Sequence, residues 1–460
     1  KMLLRPRVVV CNSLRGRGVA RLSTSRSPFS SSPSFSSSPP SPYSHSTSPF
    51  ISALSPSYCA KTSSLAEAHP ANQNPFRVQS RGIQGIVIGE NLDLEEGKAP
   101  DSFTQIRVGQ VIENPYELTV DEGWLALWQS CFFQHDRLNT STPFAQSIGF
   151  DQRLLSYSFM AFQTASMAHV DELAEVMELG VYDAVYMRPG YCGDTFKKQF
   201  TVKRIQPASH SDKTIVTYKC DLKNQRGQIC FTCDKVMLYP YSSSKFQKSV
   251  PPKTKPRIQK SLILDHIKAN ASLLSTSPTL ADVKAGSVVL HTYERSLGTS
   301  MAVAMNTLFR QGHPLLVNLQ RYKEDELVLP GPVVLALTLS ASSRAFFEIL
   351  YEECQSTRFL HKAHPKDSIG AVSFIRDLTK VEGGLEEMTV VTLGVAGIDV
   401  LMELRGVDLP VELFEPIDDT QSYNDMVAAK IPLLKEKVLL QTTRKLVRQS
   451  HADSVFIPLL

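Results

Sequence analysis

The chain has 460 residues, more than one ordinary core takes, so two domains and an additional segment are expected. Hydrophobic residues make up 42% and charged residues 20%, ordinary values for a globular protein, and the longest apolar run (residues 327–340) is interrupted by Pro330 and Pro332 and too short to span a bilayer. The formal charge of +4 arises from residues 1–66, whose eight Lys and Arg precede the first acid, Glu67; the rest is mildly acidic, so net charge gives nucleic-acid binding no support.

Residues 1–75 read as a disordered targeting presequence. Leu3, Leu4 and Val8, Val9 and Val10 are interleaved with arginines, and residues 23–64 are Ser/Pro-rich and acid-free. That composition fits a mitochondrial or plastid transit peptide, with the arginine spacing favouring the mitochondrion (matrix, or matrix side of the inner membrane). A disordered regulatory tail is the competing reading.

Residues 100–240 form the first globular unit. Val120 leads into a helix with Asp121 and Glu122 in its first turn, where acids suit the helix dipole. After a loop at 140–143, residues 144–170 are dense in Leu, Phe, Met, Ala and Ser and, beyond Gly149, free of lysine, glutamate and helix breakers; a helix buried on most faces is expected. FTVKRI, TIVTYKCDL and QICFTCDKVMLY then alternate with period two as short strands, Val216, Tyr218 and Cys220 sharing a face, with Asn224-Gln225-Arg226-Gly227 as a hairpin turn. Cys230 and Cys233 make the only C-x-x-C, but three residues apart on a strand they point to opposite faces. They read as core thiols in a reducing compartment rather than a zinc or redox pair.

Residues 241–260, basic and Pro-bearing, read as a linker. The second unit, 261–415, repeats the order of the first: a helix at 301–310, a loop at 311–320, a buried helix at 331–351, a His/Pro/Asp segment at 361–367, a strand at 371–375, and a hairpin, MTVVTLGVAGIDVLMEL, turning at Gly397. Gly227 and Gly397 are 170 residues apart, Asp194 and Asp367 are 173 apart, and Gln134 and Gln311 are 177 apart, which argues for an internal duplication. Residues 416–460 read as a helical C-terminal tail. Its helix would run over 432–448, with Leu433, Leu434 and Val438 apolar and Lys435, Lys437, Arg444, Lys445 and Arg448 basic. The apolar ending VFIPLL is expected to dock on a partner, the alternative being that the tail folds back on its own hot dog.

Phe144-Ala145 with Gly149, then Pro189 with Gly193-Asp194-Thr195, then Asn224 to Gly227, follow the motif order F-A-x-x-x-G, P-x-x-x-G-D-T, N-x-x-G. In this the chain resembles the MaoC-like hot-dog hydratases, and with LGVYDAVYMRPGYCGDTF most of all the mesaconyl-CoA hydratase branch, over roughly residues 100–410 and more strongly in the first half. The resemblance implies an α+β fold, a tandem (double) hot dog with each antiparallel sheet wrapped around a buried helix, and hydration or dehydration of enoyl-CoA thioesters. It also implies an Asp (or Asn) and a His five residues apart before the buried helix, one activating water and the other moving the proton at the alpha carbon.

Counting from Phe144-Ala145, those positions hold Gln134 and Asn139; in the second half, His313-Pro314-Leu315-Leu316 aligns with N-P-L-H and they hold Gln311 and Leu316. Neither half keeps the pair. In the duplicated branch the second half is the active one, so its leucine is the more serious departure. Candidate replacements are His135 or Asp136 in the first half and His313 in the second. Asp194 and Asp367 match the G-D-T position and read as turn residues. His361 and His364 ahead of Asp367 read as a surface loop, not a metal site, for want of a fourth ligand. No cofactor is implied, with acyl-CoA entering only as substrate or ligand.

Two readings follow: a catalytically degenerate hot dog acting as an accessory subunit of a mitochondrial assembly (respiratory complex, ATP synthase or ribosome), partnered through the C-terminal tail, or an active enoyl-CoA hydratase with displaced catalytic groups.

Overall fold

The computed structural model of the chain describes residues 7–10, 106–165, 177–208, 213–240, 260–275 and 283–450. The linker at 241–259, the apolar ending and most of the presequence lie outside the described residues. In chain order the strands are β1 (Arg7–Val10), β2 (Val111–Thr119), β3 (Met177–Tyr186), β4 (Thr195–Pro207), β5 (Thr214–Lys223), β6 (Ile229–Tyr239), β7 (Ser287–Leu290), β8 (Ile349–Phe359), β9 (Ile369–Val381), β10 (Leu385–Ala396) and β11 (Val438–Gln449). The helices are α1 (Glu122–Cys131), α2 (Arg137–Thr140), α3 (Thr142–Ser147), α4 (Tyr157–Gln163), α5 (Leu262–Ala269), α6 (Thr299–Leu308), α7 (Pro314–Val317), α8 (Gly331–Ser343), α9 (Val400–Leu404) and α10 (Thr420–Lys430).

All eleven strands belong to one sheet, ordered β1-β7-β9-β10-β11-β8-β3-β6-β5-β4-β2. The duplication is visible in that order. The first half runs β2-β4-β5-β6-β3 and the second β7-β9-β10-β11-β8, the same arrangement twice, joined where β3 and β8 pair antiparallel. In each half the helix between the first and second strands is buried: α4, and α8, where every residue from Pro332 to Ser343 is buried. A sequence apolar on all faces leaves no side that favours water, so α8 sits inside the second sheet.

Local chemistry accounts for the elements. The Asp121 carboxylate caps α1, accepting from the Trp124 N–H at 2.9 Å. Val216, Tyr218 and Cys220 share the buried face of β5, as their alternation predicts. The two matched aspartates make the same turn: Asp194 accepts from the Tyr191 N–H at 2.9 Å before β4, and Asp367 from the His364 N–H at 2.7 Å before β9. An aromatic cluster joins the halves. Trp128, Phe159 and Phe162 of the first surround Phe309 of the second, with ring centroids 6.0, 5.6 and 4.3 Å from it.

Several expectations are corrected. The helix expected over 144–170 is broken into α3 and α4 by a turn at Ile148 and Gly149 and a non-helical stretch that ends at Ser156, whose hydroxyl caps α4; residues 166–170 lie outside the described residues. The second buried helix stops at Ser343, and 349–351 already belong to β8. Gly397 does not turn a hairpin. It ends β10, the strand matching β5, just as Gly227 follows β5; the return strand comes only after an insertion at 398–437. The helix expected at 432–448 is instead β11, hydrogen-bonded to β10 on one side and β8 on the other. The second unit thus extends to Gln449, and Arg444 and Arg448 are fully buried rather than displayed. Finally, Arg7–Val10, inside the segment expected to be disordered, forms a strand paired in parallel with β7.

The insertion explains why β10 can be buried on both faces. Outward-facing Val391, Leu393 and Val395 of β10 pack under Leu404, Leu413, Phe414, Tyr423 and Val427 of the insertion. The first half's outer face instead carries Lys197 and Lys203, side chains that water solvates, and has only a short turn at the matching place.

Candidate functional site

The first-half positions Gln134 and Asn139 both line a narrow cavity between the two halves, beside Asp136, Ser156, Tyr157, Tyr351, Glu352 and Arg444. Its free volume is about 60 Å³, room for a few water molecules. The segment carrying Gln134 to Asn139 is fastened to the second half by several contacts. The Ser340 hydroxyl of α8 donates to the Phe133 carbonyl at 3.0 Å, the Asp136 carboxyl accepts from the Ile349 N–H at 2.7 Å, and Arg137 forms a two-pronged pair with buried Glu348 at 2.6 to 3.0 Å.

Neither family position carries a transferable proton. The Asn139 amide donates to the Leu154 carbonyl at 3.1 Å, so it is engaged in holding the loop. Of the candidate replacements, the cavity receives only Asp136. Burial pushes its carboxyl well above the usual range, with neighbouring Glu348 and Glu352 adding to the shift and the Ile349 N–H opposing it. His135 packs against Phe133 with ring centroids 4.3 Å apart and is absent from the cavity lining. Burial and the Arg344 charge push it down to about 4, so it is neutral at pH 7.

The raised Asp136 gives a signed expectation. Its folded form holds a proton more tightly than its unfolded form, so its contribution to stability is full below about pH 4 and is lost as pH rises through the folded value. Asp136→Asn keeps an oxygen for the Ile349 N–H and has nothing to ionise. The variant is expected to match or exceed the parent's stability at pH 8 and to show a flatter decline from acid to neutral pH. Denaturant midpoints across pH check this; a variant with the parent's slope contradicts it.

The second half places its positions elsewhere. Gln311 is buried, its backbone N–H on the Asn306 carbonyl at 2.8 Å, and the Leu316 carbonyl accepts from the Asn306 amide at 3.2 Å. His313 caps α7 through its Nδ1, which accepts from the Leu315 N–H at 3.1 Å. None of the three lines the cavity between the halves. At the start of α8, a Cβ on Gly331 would stand 2.7 Å from Phe359, so the tip of that ring packs against the first residue of the helix. His361 and His364 are tied to backbone carbonyls, of Val438 at 2.8 Å and Leu327 at 2.8 Å, consistent with a structural loop. Cys230 and Cys233 are free, buried thiols.

Sequence reasoning missed Glu352, Arg444, Tyr157 and Tyr351. Arg444 donates to Glu352 at 2.8 Å and to the Ser342 hydroxyl at 2.9 Å, so the cavity's strongest cation is already paired. The only local signal was an arginine within the apolar pattern of residues 438–449, which a strand reading would have turned inward.

No family model matches the chain, and no curated protein matches it in sequence. Solved structures do match. A Chloroflexus aurantiacus protein assigned as a MaoC domain dehydratase aligns with TM-score 0.56 and 17% identity, over 76% of this chain and 97% of its own. A conserved hypothetical protein from Mycobacterium tuberculosis, described as having a double hotdog fold, aligns with TM-score 0.53 and 14% identity, over 75% and 97%. The fold is the double hot dog found in MaoC-domain proteins. Among the described residues, no helix is long and apolar enough to cross a membrane.

Proposed function

We propose that the protein is a MaoC-type double hot dog that has lost hydratase chemistry and serves as an accessory subunit of a mitochondrial multiprotein assembly, such as a respiratory complex, ATP synthase or ribosome. The carrying observation is that Gln134 and Asn139 both line the cavity between the halves while neither transfers a proton, and that Gln311 and Leu316 do no better in the second half. The limited free volume supports the same reading. The basic, acid-free residues 1–66 support mitochondrial delivery. Residues 438–449 are an internal strand, so docking through the C-terminal tail rests on the apolar ending, which lies outside the described residues.

A second reading, an active enoyl-CoA hydratase with displaced groups, is favoured by one observation: Asp136 and Glu352 share the cavity, and the Asp136 carboxyl is held toward its protonated form. Native-state mass of the protein extracted from its source separates the two. The subunit reading expects it in a particle far heavier than a dimer of 51.1 kDa chains; migration only at monomer or dimer size contradicts it.

A further inference from the structure

Phe133, just beyond α1, is 43% exposed. A lone exposed apolar residue is ordinary in a folded protein, but this one is not alone. The rings of His135 and Tyr293 lie against it, with centroids 4.3 and 5.0 Å away. Among the described residues no other exposed large apolar side chain has rings on two sides. The group is also held in place. The Phe133 carbonyl is fixed to α8 by the Ser340 hydroxyl, and the backbone pairing of Arg295 with Ile369 anchors the segment that carries Tyr293. The platform straddles the seam, with Phe133 and His135 from the first half and Tyr293 from the second, beside the cavity that Phe133 and Ser343 both line.

Two arginines set its charge. Arg344, exposed and one residue beyond Ser343, adds to the burial that keeps His135 neutral. Arg295, half-buried and two residues beyond Tyr293, opposes the burial that raises the Cys131 thiol at the end of α1. Both positive charges therefore act on the stretch that carries Phe133. Among the described residues neither guanidinium has a carboxylate partner, because the acids of this region are engaged elsewhere. Glu294 accepts from the Val400 N–H at 2.5 Å, Glu348 pairs with Arg137 and Glu352 with Arg444. Rigid aromatic rings flanked by arginine are the residues that dominate protein interfaces, and unpaired positive charge selects a negative partner. Nucleic acid is disfavoured, since the chain beyond residue 66 is mildly acidic.

We propose that this platform is a docking surface for an acidic segment of a partner subunit, which lays an apolar side chain on Phe133 and Tyr293 and pairs its carboxylates with Arg295 and Arg344. This rests on the subunit reading and names the surface through which the subunit is held.

Photocross-linking of the full-length protein tests it. Phe133 is replaced by the photoreactive p-benzoylphenylalanine, and the protein is irradiated in an extract of its source. The expected product is a cross-link to one partner chain, at a peptide in which Asp and Glu outnumber Lys and Arg. Arg295→Glu with Arg344→Glu is expected to cut the yield at least about tenfold. Arg295→Gln with Arg344→Gln, which removes the charge without adding repulsion, is expected to cut it less. Both pairs are expected to keep the parent's circular dichroism, since neither guanidinium holds a carboxylate within the described fold. The proposal is overturned by a peptide without acidic excess, by a cross-link to nucleic acid, by one that crotonyl-CoA displaces, by a yield that charge reversal leaves unchanged, or by no cross-link at all. A heavy native particle without this cross-link refutes the surface alone, whereas migration only at monomer or dimer size refutes the subunit reading.

Discussion

A chain ending at Lys430 is expected to lose the fold of the second half, not merely a docking element. The deletion removes β11, the strand between β10 and β8. It strips the partners from both neighbours, and it removes Val438, Leu439, Leu440, Leu446 and Val447, each at most 2% exposed. At about 1.5–3 kcal/mol for each buried apolar side chain, the loss is on the order of 10 kcal/mol, comparable with the whole stability of a typical domain. Circular dichroism and a denaturation curve of the truncated protein check this. A cooperative transition at the parent's midpoint would return residues 431–460 to the status of an appendage.

The second large effect is expected from Arg448→Met. Arg448 is fully buried and donates through Nε to Glu386 at 2.6 Å, and Glu386 is itself only 4% exposed. Removing the arginine leaves a carboxylate in the protein interior with its hydration gone and its counter-charge lost, a situation that costs about 3–5 kcal/mol. Replacing both partners, Arg448→Met with Glu386→Leu, removes the orphaned charge and is expected to recover most of that loss. Denaturant unfolding of the single and double variants decides it. A single variant that loses less than about 1 kcal/mol, or a double variant no better than the single, would mean that the two charges do not depend on each other.

Much of the architecture is written in local pattern. The period-two strands, the G-D-T turn and the all-apolar stretch at 331–343 are each readable within a dozen residues, because the forces that fix them act between near neighbours. The repeat was legible too, since Asp194 and Asp367 make the same turn. What failed was non-local. VLLQTTRKLVRQ carries charges that suit an exposed helix, and it is partners distant in sequence, above all the carboxylates of Glu352 and Glu386, that make burial of Arg444 and Arg448 tolerable. Gly397 misled for a related reason: it does end a strand, but the partner strand begins only at Val438. For the site, counting from Phe144-Ala145 led to two residues that line one cavity, Gln134 and Asn139. The opposite wall, Glu352 and Arg444, is assembled by the sheet and had no signature beside the motif.

The central claim, that no proton-transferring pair remains, is most directly tested by hydration of crotonyl-CoA and mesaconyl-CoA, followed as loss of enoyl-thioester absorbance with the purified protein. Without general acid and base help, which is worth about 10²–10⁴-fold in rate, the protein is expected to give no turnover above the buffer background. Turnover of about one per second or faster, abolished by Asp136→Asn in a protein that remains folded, would contradict the account and identify Asp136 as the group that took over.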